Sequence, residues 1–312
     1  MKGWVIVGKY RLVTRSDFDG LVCAVLLRDL DIIGDIKFVH PKDMQDGIIE
    51  ISENDITTNL PYVESAHLVF DHHLSETIRN PGEKKNYIID PKAPSAARVV
   101  YDYYGGKEKF KNISEEMMDA VDKADSAQFT RDEIIEPKGW VLLNFLMDAR
   151  TGLGRFREFR ISNYDLMMNL IEYCKNHDIN DILQLPDVKE RVELYSKYKD
   201  DFSKQLKNCA KVHDNVVVID LKDEDIIYPG NRFMKYVLWP ETNISIQVIW
   251  GFKKQNTVLT VGKSIVNRSS KVNIGELMLE YGGGGHANAG TCQLENDKYQ
   301  PQLETIIKRI QD

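Results

Sequence analysis

The chain has 312 residues, 42% of them hydrophobic and 29% charged, which suffices for two domains with cores of their own and leaves no case for disorder. A formal net charge of −7 excludes a general polyanion-binding surface, so a phosphate-bearing ligand has to be met by local positive charge from metal ions and a few Lys or Arg. Cys23, Cys174, Cys209 and Cys292 lie far apart, with no zinc-knuckle or disulfide spacing, and read as reduced thiols.

Met1 to Val7 is too short and too weakly charged for a signal peptide, and no apolar run reaches the roughly 18 residues of a membrane span. A cytoplasmic protein without membrane contact is expected. In chain order, Lys9–Thr14 reads as a strand and Leu21–Asp31 as a helix, with apolar residues at helical spacing after Gly20. Asp35–His40 is a second strand, and Asp43 to Gly47 a polar loop. Ser52–Thr58 holds a strand-like segment with Asp55, Leu68–Phe70 is the next strand, and Tyr87–Asp90 a further short one. Ser95 is placed to cap a helix over Ala96–Tyr104 that Gly105-Gly106 stops, and Ser114 begins another that leads to Asp125. Alternating β and α segments predict an α/β, doubly wound, mainly parallel sheet.

Residues 136–210 are mainly helical, with Tyr164–Asn176 and Asp187–Asn208 carrying the apolar spacing. From Lys211 the texture turns to strands at Val216–Asp220, Ile244–Trp250 and Thr257–Val261, then a helix over Ile274–Tyr281. The expected division is a catalytic domain over 1–190, a helical linker over 191–210 and a smaller α+β domain over 211–312.

Two short apolar runs end in potential metal ligands: Tyr10–Val13 leads to Asp17-Phe18-Asp19-Gly20, and Leu68–Phe70 to Asp71-His72-His73. Open α/β sheets place their sites at such carboxyl ends, and mixed carboxylate and imidazole donors suit Mn²⁺, Fe²⁺ or Zn²⁺. Taken singly, Asp-x-Asp-Gly is an ordinary turn, Asp-His-His a solvated strand end, and the run Gly282 to Gly285 a slack loop. Their joint occurrence in one chain points to metal-dependent phosphoester chemistry. His40, His67, His177 and His213 have no such partners and read as ordinary core or surface residues.

Asp17-Phe18-Asp19-Gly20, Asp71-His72-His73 and Gly282 to Gly285 followed by His286 together resemble the DHH/DHHA1 phosphoesterase superfamily, which includes RecJ-like exonucleases, nano-RNA phosphodiesterases, cyclic-dinucleotide phosphodiesterases and exopolyphosphatase-like proteins. The resemblance spans nearly the whole chain. It implies one or two Mn²⁺ ions, with Mg²⁺, Co²⁺ or Fe²⁺ as substitutes, in a cleft between the domains. By resemblance, Asp17 binds the first metal and Asp19 the second, Asp55 bridges them, and His72 and Asp125 complete the second site, with Asp122 competing for the role of Asp125. Asp71 is expected to orient His72 and raise its basicity, and His73 to contact the phosphate. The glycine loop (Gly283, Gly284, Gly285) and His286, with Asn267, Arg268 and Arg232, are expected to grip the far end of the substrate through exposed backbone N–H groups and positive charge.

One departure stands out. Many members carry a histidine ligand just before the first aspartates, where this chain has Val13, Thr14 and Arg15. Either the first metal site is weak, or Arg15 itself offers its charge to the phosphate. The substrate class expected is a short nucleotide: a linear or cyclic dinucleotide, nano-RNA or a 3′-phosphorylated nucleotide. The acidic balance and the lack of a basic stripe argue against long duplex DNA. Polyphosphate hydrolysis is one alternative, distinguishable by base stacking on Tyr281 or Phe233, and a non-catalytic nucleotide sensor is another. A homodimer is implied by resemblance alone.

Overall fold

A computed structural model describes residues 9–311; the reading of Met1 to Val7 falls outside the described residues. The described residues divide into two compact units, the first comprising 9–128, 138–149 and 154–192, the second 129–137, 150–153 and 193–311.

The first unit is built on a parallel sheet in the order β2-β1-β3-β4-β5, with β1 Tyr10–Arg15, β2 Ile33–Val39, β3 Asp55–Thr58, β4 Leu68–Asp71 and β5 Tyr87–Ile89. The helices of its amino-terminal half are α1 Phe18–Asp29, α2 Pro41–Gln45, α3 Leu74–Arg79, α4 Ala96–Tyr103, a short α5 Gly106–Lys109 and α6 Glu115–Asp125. Strand order reverses between β1 and β3, because the chain leaves β1 to one side for β2 and returns to the other for β3. A doubly wound sheet opens a crevice at such a point, beyond the carboxyl ends of its strands.

The helix α1 is apolar nearly all round, and every residue from Phe18 to Leu27 is buried. It packs on β1 and β2 and against α4, α6 and the helix Asn163–Asn176, the arrangement that an all-round apolar helix requires. A second cluster of Val13, Val39, Met44 and Leu60, with Ile49, Ile51 and Val63 against it, packs separately from this helix. The sequence placed the start of this helix after Gly20, but it begins at Phe18, because the Asp17 side chain caps it by accepting from Gly20 N at 3.0 Å. Gly20 is obligatory for a steric reason: a Cβ there would stand 2.0 Å from the Arg15 carbonyl oxygen and 2.7 Å from Thr14 Oγ1.

The second unit carries a six-stranded sheet, ordered β10-β11-β9-β8-β7-β6, from β6 Ala210–His213, β7 Val216–Asp220, β8 Ile244–Trp250, β9 Thr257–Lys263, β10 Gly284–His286 and β11 Ala289–Leu294. All its pairings are antiparallel except β7 with β8. Val216, Ile246, Leu259 and Cys292 of the strands pack with Ile274 and Met278 of the helix Ile274–Leu279 and with Leu303 and Ile306 of the helix Tyr299–Gln311. The single helix expected over Asp187–Asn208 is two, Pro186–Lys197 and Lys199–Cys209, parted at Tyr198. No helix among the described residues is long and apolar enough to cross a membrane.

Gly20→Ala is expected to destabilise the first unit by about 1–3 kcal/mol or more, as overpacking against backbone does. A Tm equal to that of the unsubstituted protein would contradict this packing.

Candidate active site

Three elements of the first unit deliver acidic and imidazole groups to one spot. The turn after β1 brings Asp17 and Asp19, the end of β4 brings Asp71, His72 and His73, and the last residue of α6 is Asp125. Asp19, in the first turn of α1, is 2% exposed. Its carboxylate accepts from the first two amides of α4, Ala96 N to Oδ2 at 2.9 Å and Ala97 N to Oδ1 at 2.7 Å. The positive end of a helix thus holds a buried anion in place. Ser95 caps α4 by accepting from Arg98 N, as its position in the sequence suggests.

The orientation of His72 follows from one contact. Its Nδ1 lies 3.2 Å from the Ala93 carbonyl oxygen, which can only accept, so Nδ1 carries the proton and Nε2 presents a lone pair. That Nε2 is buried, 2.9 Å from Asp125 Oδ2 and 4.0 Å from Asp19 Oδ2. The ligand atoms of Asp19, His72 and Asp125 all lie within 4.8 Å of one another. Two carboxylates and an imidazole lone pair facing one point repel unless a cation or a proton sits between them. Burial and then the charge of Asp125 push Asp19 up to about 7. Burial opposes charge on His72, yet the Asp125 and Asp19 carboxylates outweigh it and raise this imidazole to about 9. This donor set fits a divalent ion of mixed O/N preference.

The neighbouring histidine is held differently. Asp71 Oδ1 lies 2.7 Å from His73 Nδ1 and accepts from His72 N at 2.8 Å. The expectation that Asp71 orients the His72 ring is therefore corrected: the Ala93 carbonyl does that, and Asp71 orients His73. Burial works against charge on His73, but the Asp71 carboxylate prevails and raises its pKa, which favours a ring protonated on both nitrogens. The side chain is 30% exposed.

Asp55 stands elsewhere. It begins β3, paired in register with Arg11, whereas Thr58 at the strand's other end pairs with Thr14. Three residues of extended chain are about 10 Å, which puts Asp55 at the opposite edge of the sheet from Asp17 and Asp19. There it accepts from Arg11 Nε at 2.5 Å and Nη2 at 3.0 Å, and from Ser52 N at 2.7 Å. Burial alone would raise its pKa, but these donors hold it below the usual carboxylate range. A bridging metal ligand it is not. The residue at the carboxyl end of β3 is Asn59, whose Nδ2 donates to Asp17 Oδ1 at 3.2 Å. The sequence reading passed over Asn59, although following the strand from Asp55 to its far end would have reached it. Asp122 is also occupied, accepting from Ser95 Oγ at 2.7 Å and from Arg98 Nε and Nη2 at 2.9 and 2.6 Å. Arg15 turns its Nε to Asp17 Oδ2 at 2.8 Å.

In the second unit, Arg232 lies over the Phe233 ring at 3.9 Å. Asn267 Nδ2 donates to the Glu241 carbonyl at 2.9 Å, while the exposed Arg268 donates through Nε to Ile265 O at 3.2 Å. The glycine run is tightly built rather than slack. Gly282, at φ 73°, ends the helix Ile274–Leu279 in a left-handed turn, with Gly283 N donating to Met278 O at 2.9 Å. A Cβ on Gly283 would lie 2.1 Å from Thr291 O, and one on Gly285 2.3 Å from Ala289 O, whereas one on Gly284 meets nothing. Gly283 and Gly285 thus serve close strand packing, whereas a Cβ on Gly282, like one on Gly284, would meet nothing, and His286 is exposed. Phe233 is 3% exposed and packs against Phe129 and Tyr236, so it offers no stacking face.

No protein-family model matches the chain, and no curated protein matches it. Solved structures do. RecJ from Thermus thermophilus in complex with Mn²⁺ superposes with a TM-score of 0.52 at 13% identity over 97% of this chain and 52% of that one, a likeness of fold. With the strand order, the donor set and a far more similar relative, the chain belongs to the DHH/DHHA1 phosphoesterase superfamily. That relative is a pGpG-specific phosphodiesterase, PggH from Vibrio cholerae, with 60% identity, a TM-score of 0.86, and coverage of 97% of this chain and 99% of that one.

Asp55→Ala is expected to lower stability at pH 7 by about 2 kcal/mol while leaving the rise in Tm on adding Mn²⁺ unchanged. The gap should narrow as pH falls through the depressed pKa of Asp55, since a carboxylate contributes only while ionised. Loss of the metal response in this variant would return Asp55 to the site. The metal response itself should be larger at pH 8 than at pH 6, because below about 7 an ion must displace the proton that Asp19 takes up. Calorimetric titration of Mn²⁺ at the two pH values checks this; equal affinities would contradict it.

Proposed function

We propose that this chain is a divalent-metal phosphodiesterase that hydrolyses linear dinucleotides of the pGpG kind to mononucleotides. The observation that carries the reading is the convergence of His72 Nε2 with the carboxylates of Asp19 and Asp125, whose ligand atoms all lie within 4.8 Å of one another. The substrate comes from the pGpG-specific relative at 60% identity, which this chain matches over nearly its full length. Asp19, His72 and Asp125 hold the ion, proposed as Mn²⁺ with Mg²⁺, Co²⁺ or Fe²⁺ as substitutes. When bound, such an ion polarises a phosphoryl oxygen and acidifies water.

The chain's own groups do the rest. In the hydrolysis, water adds to phosphorus, one P–O ester bond breaks, and the departing oxygen needs a proton. His73, kept protonated by Asp71, is the group proposed to donate it from Nε2. Arg15 adds positive charge beside the ion site. Arg232, Asn267, Arg268, Gly284 and His286 of the second unit are proposed as nucleotide-binding groups.

The test compares pGpG, pApA, cyclic di-GMP and polyphosphate with Mn²⁺ present. Mononucleotides from pGpG are expected, with turnover abolished in Asp19→Ala and His72→Ala. Phosphate released from polyphosphate alone would replace the substrate class, and dinucleotide binding without turnover would favour a sensor. His73→Asn is expected to lower kcat about 10²–10⁴-fold with metal affinity unchanged.

A further inference from the structure

Asp17 lies two residues before Asp19, yet its carboxylate is spent on neighbours of its own. Its Oδ1 accepts from Gly20 N at 3.0 Å and from Asn59 Nδ2 at 3.2 Å, and its Oδ2 lies 2.8 Å from Arg15 Nε. Asn59 is fixed in turn: it is 1% exposed, adopts a left-handed φ of 55°, and donates its backbone N–H to Phe70 O at 3.0 Å. Such a backbone is uncommon for a residue other than glycine, and asparagine is among those that tolerate it.

Arg15 cannot lose its proton under ordinary conditions. A divalent ion bound to Asp17 would sit against a permanent cation, and an amide stands where a further carboxylate from β3 would be needed. Asp55, the acidic residue that β3 does carry, is held by Arg11 at the opposite edge. Among the described residues, the acidic and imidazole ligand atoms converge in one trio, and Asp17 is not part of it. Arg15 nevertheless pairs with Asp17, two residues before Asp19 of that trio, which keeps the guanidinium near the ion site. Its side chain is 34% exposed, with Nε committed to Asp17.

We propose that this centre takes a single divalent ion, on Asp19, His72 and Asp125, and that the Arg15 guanidinium, braced by Asp17, is the second positive charge that meets the phosphate. The role of Arg15 rests on the phosphodiesterase reading above; the count of ions does not. The Nη edge of a guanidinium matches two phosphoryl oxygens in geometry, and it makes that interaction without the hydration and ligand demands of a second ion.

Equilibrium dialysis with Mn²⁺ followed by metal analysis, together with electron paramagnetic resonance, reads the count directly. One ion per chain with the spectrum of an isolated Mn²⁺ is expected; two ions per chain, or a spin-coupled spectrum, would overturn the proposal. Arg15→Ala should keep one ion and lose about 100-fold or more in kcat on pGpG, with partial recovery in Arg15→Lys. An unchanged kcat in Arg15→Ala would remove the guanidinium from the reaction. The double variant Arg15→His with Asn59→Asp should take up a second ion, and remaining at one would show that these two residues are not what excludes it. A protein that binds one ion but cleaves no dinucleotide refutes the phosphodiesterase reading alone. Two ions with rapid pGpG cleavage refute this proposal alone.

Discussion

The site depends on keeping Asp19 ionisable while it is almost wholly removed from water. A buried carboxylate takes up a proton unless hydrogen bonds or cations compensate it. Here the first amides of α4 supply two donors, one to each oxygen, and thereby fix α1 against α4. The same contacts leave each carboxylate oxygen a further lone pair. Those amides are enough to hold the side chain in position but not to offset Asp125, and burial with that neighbour still drives Asp19 upward. The fold therefore creates a demand for positive charge at one point, and His72 is aimed there by a carbonyl that fixes its tautomer.

His72 and His73 are adjacent, with ring centroids 4.6 Å apart, yet their partners give them opposite tasks. The carbonyl partner on Nδ1 leaves Nε2 of His72 to face Asp125 and Asp19, so an ion that displaces the proton their charge favours there finds a ligand nitrogen already aimed at it. A carboxylate partner favours the charged form of His73, which is what a proton donor needs. Exchanging the partners would exchange the roles. The assignment thus resides less in the three-letter motif than in Ala93, far along the chain, and in the Asp71 carboxylate that folds back on its own strand end.

The sequence pattern made much of this legible, for identifiable reasons. The strand over Leu68–Asp71 and the Ser95 cap depend on local signals, an apolar run and a hydroxyl before a helix, and both lie where those signals point. The trio Asp19, His72 and Asp125 could be proposed because its members end elements, where a doubly wound sheet exposes them. Asp55 misled because acidity was weighed and direction was not. A residue that opens a parallel strand belongs to the amino edge, where Arg11 of the neighbouring strand awaits it. Asn59 and Ala93 act through an amide and a backbone carbonyl, and nothing in composition marks such groups. The crowding at Gly283 and Gly285 could not be read from the sequence because it comes from β11, a partner that only the folded second unit brings against them.

Charge balance explains how a chain of net charge −7 can receive an anion here. Without a metal, the Asp17, Asp19, Asp71 and Asp125 carboxylates are offset by Arg15 and by protons that the raised pKa values of Asp19, His72 and His73 draw in; an ion that displaces the protons on Asp19 and His72 takes over that compensation. With one divalent ion bound, these carboxylates are balanced by the ion, Arg15 and a protonated His73, and the last two side chains are part-exposed. A second ion would overshoot this balance, and with Arg15 already beside Asp17 it would have to displace an interaction that the fold supports from three directions: Gly20, Asn59 and the guanidinium itself. If Arg15 stands in for a second ion as proposed, half of the positive charge is independent of metal supply, at the cost of fixing its position relative to Asp17.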